Sequence, residues 1–163
     1  MKKLLYFLIP LTTTLLFAET TQERFAFLEE ACKRNHYGSC SRLALDYEEN
    51  ILVEQDFKKA FKLYTKACGG GDAFGCHNVA VYYSKEDNPA LKKLSVNFYE
   101  MGCENGYAPS CIYLGRLYRD GRKVKKDYTK AKEEFAKACE LNNRLGCKEE
   151  RILNELKHSG YAY

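Results

Sequence analysis

Residues 64–80 read YTKACGGGDAFGCHNVA, with Cys68 and Cys76 eight positions apart. The same pair recurs as Cys32 and Cys40, Cys103 and Cys111, and Cys139 and Cys147. The first cysteines are separated by 36, 35 and 36 residues, a fixed period of the length that marks stacked helical repeats. Aligning the chain on these cysteines brings other positions into register. Four residues before the first Cys stand Leu28, Tyr64, Tyr99 and Phe135, and one before it stand Ala31, Ala67, Gly102 and Ala138. Phe25, Phe61 and Val96 stand seven before. Apolar positions three and four apart describe one face of a helix, and small residues beside the Cys let a neighbouring helix come close.

Three residues after the first Cys comes Asn35, Gly71, Gly106 or Asn142. These residue types tolerate the left-handed conformation that ends a helix, so each unit stops its first helix at the same place. Beyond the second Cys the pattern resumes, with Leu43, Val79 and Leu114, then Ala44, Ala80 and Gly115, then Tyr47, Tyr83 and Tyr118. Thr20 and Glu23 have capping-box spacing, Asp56 and Asp127 sit at N-cap positions, and Asn88-Pro89 puts Pro at a first helical position. The spacing predicts helices near 21–34, 38–49, 57–69, 73–84, 89–104, 108–119, 128–141 and 144–158. The fold class is all-α: an α/α solenoid of four helix–turn–helix units, near 22–56, 57–91, 92–127 and 128–158.

The first eighteen residues are of another kind. Lys2 and Lys3 precede an uncharged run from Leu4 to Phe17, closed by Ala18. That is the pattern of a secretory signal peptide over 1–18, leaving 19–163 as the repeat domain. Its removal takes the formal net charge from +4 to +2, too balanced for a nucleic-acid partner. No other apolar run reaches spanning length, so the mature chain carries no membrane anchor and is expected as a monomer, periplasmic or secreted. Eight cysteines in an exported chain read as a disulfide framework. Of the possible pairings the repeat selects Cys32–Cys40, Cys68–Cys76, Cys103–Cys111 and Cys139–Cys147. Packed helices bring facing Cα atoms to disulfide range.

The register resembles the Sel1-like repeat, a relative of the tetratricopeptide repeat, most fully at Leu114, Gly115, Tyr118, Gly121, Val124, Asp127, Lys130 and Ala131, with Phe135 and Ala138 following. With a bridge in each unit and a leader, the chain is similar to the Helicobacter cysteine-rich protein family. It departs at Leu91–Ser95, where the Asp-x2-Lys-Ala element is missing. The last unit has Glu150, Arg151 and Asn154 at positions that are apolar, small or Tyr elsewhere, the polarity that a terminal cap needs. The resemblance implies binding, and in some members slow hydrolysis, of β-lactams, so a β-lactam or peptidoglycan-like ligand is the alternative to a protein or peptide partner.

The residues themselves carry no catalytic motif. The positions three after Ser39, Ser41, Ser84, Ser95, Ser110 and Ser159 are Arg42, Ala44, Asp87, Phe98, Tyr113 and Ala162; none is the Lys a serine β-lactamase uses. His36, His77 and His158 are scattered, which supports no metal site, and Gly69-Gly70-Gly71 lacks the Lys-Ser/Thr of a phosphate loop. No cofactor is implied. Glu29-Glu30, Glu48-Glu49, Glu133-Glu134 and Glu149-Glu150 point apart on their helices and read as solvated surface, as does the basic run Arg122, Lys123, Lys125 and Lys126. Stacked helical pairs form a concave groove suited to a polypeptide. The tyrosines outside the packing register, Tyr37, Tyr82, Tyr107 and Tyr113, are the candidate contacts, because Tyr supplies large area at low entropy cost.

Overall fold

The computed structural model describes residues 10–158, with side chains described from residue 20 to residue 156. Eight helices follow one another in that span: α1 (Pro10–Lys33), α2 (Tyr37–Glu49), α3 (Phe57–Gly69), α4 (Ala73–Lys85), α5 (Pro89–Glu104), α6 (Ala108–Asp120), α7 (Tyr128–Glu140) and α8 (Arg144–His158). Each packs chiefly on its neighbours in sequence, with lesser contacts between α2 and α4 and between α6 and α8. The molecule is therefore a solenoid of four helical pairs.

The turn chemistry is as the register requires. Asn35, Gly71, Gly106 and Asn142 have φ of 65°, 86°, 92° and 61°, the left-handed values that close the first helix of each pair. Asp56 and Asp127 cap α3 and α7, accepting from the Lys59 and Lys130 amides at 2.9 and 3.0 Å, and Asn88 caps α5 through the Ala90 amide.

One boundary differs. The first helix begins at Pro10, not near residue 21, so Thr20 lies inside α1 and no capping box forms with Glu23. No breaker stands between Leu11 and Lys33, so the helix of the apolar N-terminal stretch runs into the first repeat without interruption. Residues 1–9 of the expected signal peptide lie outside the described residues; residues 10–18 are the opening turns of α1. No helix among the described residues is long and apolar enough to cross a membrane.

All four bridges join the cysteines eight apart, with Cα–Cα distances of 4.7, 4.5, 4.8 and 4.5 Å along the chain. Each staples the end of one helix to the start of the next. Six of the cysteines are buried, whereas Cys139 is half-buried and Cys147 exposed, since among the described residues no helix packs beyond α8. Around the bridges run the cores, with Tyr64, Phe135, Leu114, Val79 and Leu153 sealed from solvent. The small residues beside them are obligatory: a Cβ on Gly115 would lie 2.5 Å from the Phe135 ring. Two of the register tyrosines, Tyr47 and Tyr83, pack ring against ring. Tyr47 meets Phe25 edge-on at 5.8 Å, and Tyr83 lies between Phe61 and Phe98, each at 5.5 Å.

Candidate functional site: a cleft of opposite charges between α5 and α7

Tyr118 projects from α6 between α5 and α7, and on either side of it lies a surface depression. One, of about 190 Å³, is lined by Glu100 and Glu104 of α5 and by Glu133, Glu134, Lys130 and Lys137 of α7, with Cys103, Leu114 and Tyr118 at its base. The other, of about 460 Å³, is lined by Lys93, Val96 and Asn97 of α5, Lys123, Val124, Lys125 and Asp127 of the α6–α7 loop, and again Tyr118 and Lys130. The two share Tyr118 and Lys130. They form one cleft, acidic towards the helix C-termini and basic towards the loop.

Several of its charges are fixed in place. The Tyr118 hydroxyl donates to Glu100 at 3.4 Å, and Lys130 Nζ sits 5.3 Å above the Tyr118 ring. Burial, the Glu100 carboxylate and its hydrogen bond raise the Tyr118 pKa, so the phenol remains a donor. Lys137 donates to Glu134 at 2.7 Å. Glu134 Oε2 lies 3.3 Å from Cys103 Sγ, beside a sulfur committed to the bridge with Cys111, so this trio cannot serve as a metal-ligand set while the bridge stands. At the basic end, burial first and then the neighbouring Lys92 charge lower the Lys123 pKa, while a φ of 65° at Lys123 turns the loop.

Sequence reasoning read Glu133-Glu134 and the run around Lys123 as solvated surface. Glu134, however, is only 13% exposed along its side chain, because it occupies the register of Leu63 and Phe98 and follows them inward against the preceding repeat. A carboxylate at an otherwise apolar register position was the available signal.

The four candidate tyrosines do not line this cleft. Tyr37 is half-buried, its ring laid over Gly70, where a Cβ would come within 2.2 Å. Tyr82 is half-buried between Phe61 and Tyr64, and burial, with Glu48 beside it, pushes it up to about 12. Tyr107 and Tyr113 come together around His77, with ring centroids 5.0 and 5.4 Å from the imidazole. Tyr113 also stacks on Tyr99 at 5.2 Å and is 44% exposed, the most open of the four. His77 Nδ1 lies 3.0 Å from Ser110 Oγ, and desolvation lowers its pKa to about 4. Both residues are buried, which makes the pair a bond between repeats and keeps it from any substrate.

These features define a class: an α/α repeat scaffold with one disulfide per unit and a charged cleft across the third and fourth units. The Sel1 repeat family matches residues 39–72 and 108–143. The chain carries Sel1 repeats over these residues. Among solved structures it is similar to a Sel1 repeat protein from Oxalobacter formigenes (TM-score 0.69, 23% identity, covering 78% of this chain and 96% of that one). It is similar also to the protective antigen c5321 of uropathogenic Escherichia coli (0.71, 22%, covering 89% and 30%). Helicobacter pylori cysteine rich protein B aligns at 0.61 and 23% identity over 80% of this chain and 95% of that one. At these identities the likeness is one of fold. Cytochrome c oxidase assembly factor 7 of Xenopus tropicalis is 29% identical over 126 residues, 71% of this chain and 54% of the relative. The Danio rerio protein of that name is 31% identical over 104 residues, 58% and 44%. The chain spans about half the length of these relatives.

Proposed function

We propose that this protein is an exported interaction scaffold, working where disulfides persist, and that a polypeptide partner lies along the cleft between α5 and α7. The observation that carries the reading is the pair of adjoining depressions joined at Tyr118 and Lys130, one bearing four glutamates and the other four lysines. A partner segment with basic and acidic side chains a few residues apart would satisfy both ends at once. Opposed charges set orientation and select against wrong partners more than they add affinity. The name of the curated relatives, an assembly factor, describes a kindred kind of work in those proteins. The four bridges support an oxidising compartment.

The test is selection from a displayed library of random peptides, followed by charge reversal at each end of the cleft. Selected peptides should carry both signs and bind more weakly as salt rises. Glu104→Lys with Glu133→Lys should abolish binding of a selected peptide and restore it to a peptide whose basic residues are made acidic. Lys93→Glu with Lys125→Glu should act likewise at the other end. Peptides indifferent to both reversals, or lost on Tyr113→Ala instead, would move the binding surface to the exposed tyrosine stack.

A further inference from the structure

Because the units repeat, one joint between them can be compared with the next, position by position. Between the second and third units, the residues two before and one after the second Cys, Phe74 and His77, meet Tyr107, which stands four after the next first Cys. All three are rings packed edge to face, with Tyr107 5.6 Å from Phe74 and 5.0 Å from His77. Between the first and second units the same three positions hold Gly38, Ser41 and Asp72. Ser41 donates to Asp72 Oδ1, which also accepts from the Gly75 amide at 2.7 Å, so a polar bond still closes the joint.

The small trio does not fill the room that the rings fill. A depression of about 370 Å³ remains, lined by Gly38, Ser41, Arg42 and Leu45 of α2 and by Asp72 and Phe74 where α4 begins. A Cβ added to Gly38 would meet only Asp72 Oδ2, at 3.7 Å, so the path that the Phe74 side chain takes one joint later is open here.

Its lining selects an occupant. Leu45 and the Phe74 ring offer apolar contact to a flat group. Asp72 must keep a donor when water is displaced, since a buried acceptor left unpaired costs more than its hydrogen bond returns. An indole or phenol meets that demand and a plain phenyl does not. Arg42 is exposed at the rim and forms no ion pair among the described residues, which leaves its guanidinium fork open to a carboxylate.

We propose that this depression binds an indole or phenol side chain with a carboxylate beside it, as presented by a tryptophan or tyrosine at the end of a polypeptide. The ring lies where a side chain at Gly38 would lie, its N–H or O–H donates to Asp72, and the carboxylate pairs with Arg42. The site is separate from the cleft between α5 and α7 and shares no residue with it.

Nitrogen-15 spectra of the protein titrated with N-acetyltryptophan test this. The Gly38, Leu45 and Phe74 amides should shift together and saturate in the millimolar range usual for so small a ligand. N-acetylphenylalanine, which lacks the donor, and N-acetyltryptophanamide, which lacks the carboxylate, should each bind several-fold more weakly. A short peptide ending in tryptophan should match N-acetyltryptophan, and the same peptide amidated at its end should match the amide. Gly38→Phe supplies the missing ring from the chain itself, so it should abolish binding while the melting temperature holds or rises. Arg42→Ala changes an exposed side chain and decides the matter should Gly38→Phe lose the fold: it should lower the affinity for N-acetyltryptophan to that for the amide. No saturable shift at these three amides, equal affinity for the three probes, or binding undiminished in either variant would each overturn the proposal. Failure here leaves the cleft reading untouched, because the charge reversals that test the cleft are at residues outside this depression.

Discussion

His77 shows what a single buried titratable group does to such a scaffold. Its imidazole is packed among Tyr99, Tyr107 and Tyr113 and titrates at about 4, against 6.5 for an exposed histidine. Between those values the unfolded chain holds a proton that the folded chain refuses. Stability is therefore complete above pH 6.5 and drains away as pH falls towards 4, by about 3 kcal/mol for a shift of this size. Asp46, whose pKa is raised by desolvation, works in the opposite sense, so the comparison must be between wild type and His77→Gln. Urea unfolding across this window should show a stability slope in wild type that is largely gone in the variant. Parallel curves would mean that His77 is not the group responsible. The sequence showed His77 only as one of three scattered histidines. Its burial was legible only from register, since Ser41 and Ile112 at the equivalent positions also turn inward.

At the level of helices, the first pair is built differently from the others. Eight residues before the first Cys the later units have Ala60, Ser95 and Ala131; the first has Arg24. Six after the second Cys they have Tyr82, Leu117 and Leu153; the first has Asp46. The two substitutions meet, Arg24 reaching from α1 to Asp46 on α2 at 3.3 Å, with the carboxylate buried and its Oδ2 without a hydrogen bond among the described residues. Removing the guanidinium alone strands a carboxylate in the core, so Arg24→Ala should cost about 2 kcal/mol. Arg24→Ala with Asp46→Leu restores the pattern of the other units and should recover wild-type stability or exceed it. Guanidinium midpoints measure both; equal losses in the single and double variants would refute the swap. Most helix limits from α2 to α8 were legible because Asp, Asn and Gly mark them, and the starts of α2 and α6, behind His36 and Tyr107, followed from the repeat register. The start of α1 was not, because Thr20 and Glu23 match a capping box in sequence while no Gly or Pro after Pro10 interrupts the helix.

Across the whole molecule, each unit shields the bridge of the unit before it, and the last bridge is left open among the described residues. Graded dithiothreitol followed by alkylation and peptide mapping should therefore open Cys139–Cys147 first, at a reductant level that leaves the three buried bridges intact. A buried bridge opening earlier would show that access does not govern the order. Each closes a loop worth about 2.5 kcal/mol by chain entropy, so loss of the terminal one loosens α8 without dissolving the rest. The repeat count, the pairing and the cores were legible because four copies of one pattern confirm each other within a single chain. The charged cleft was not. It is assembled from α5, α7 and the loop between α6 and α7, and Glu134 becomes part of it only through a neighbour that no local window contains.

The eight-residue separation of every bridge has a further consequence for the order of events in biogenesis. Eight extended residues span less than about 30 Å, so in the exported scaffold proposed above both thiols of a pair would emerge from a translocation channel almost together. Contact within so short a loop takes well under a microsecond, whereas polypeptide is made at about 5–20 residues per second. Each unit can thus meet its oxidant and lock before the next pair of thiols arrives. A chain delivered from its N-terminus never displays eight free thiols at once, and the many wrong pairings open to a refolding, fully reduced molecule do not arise.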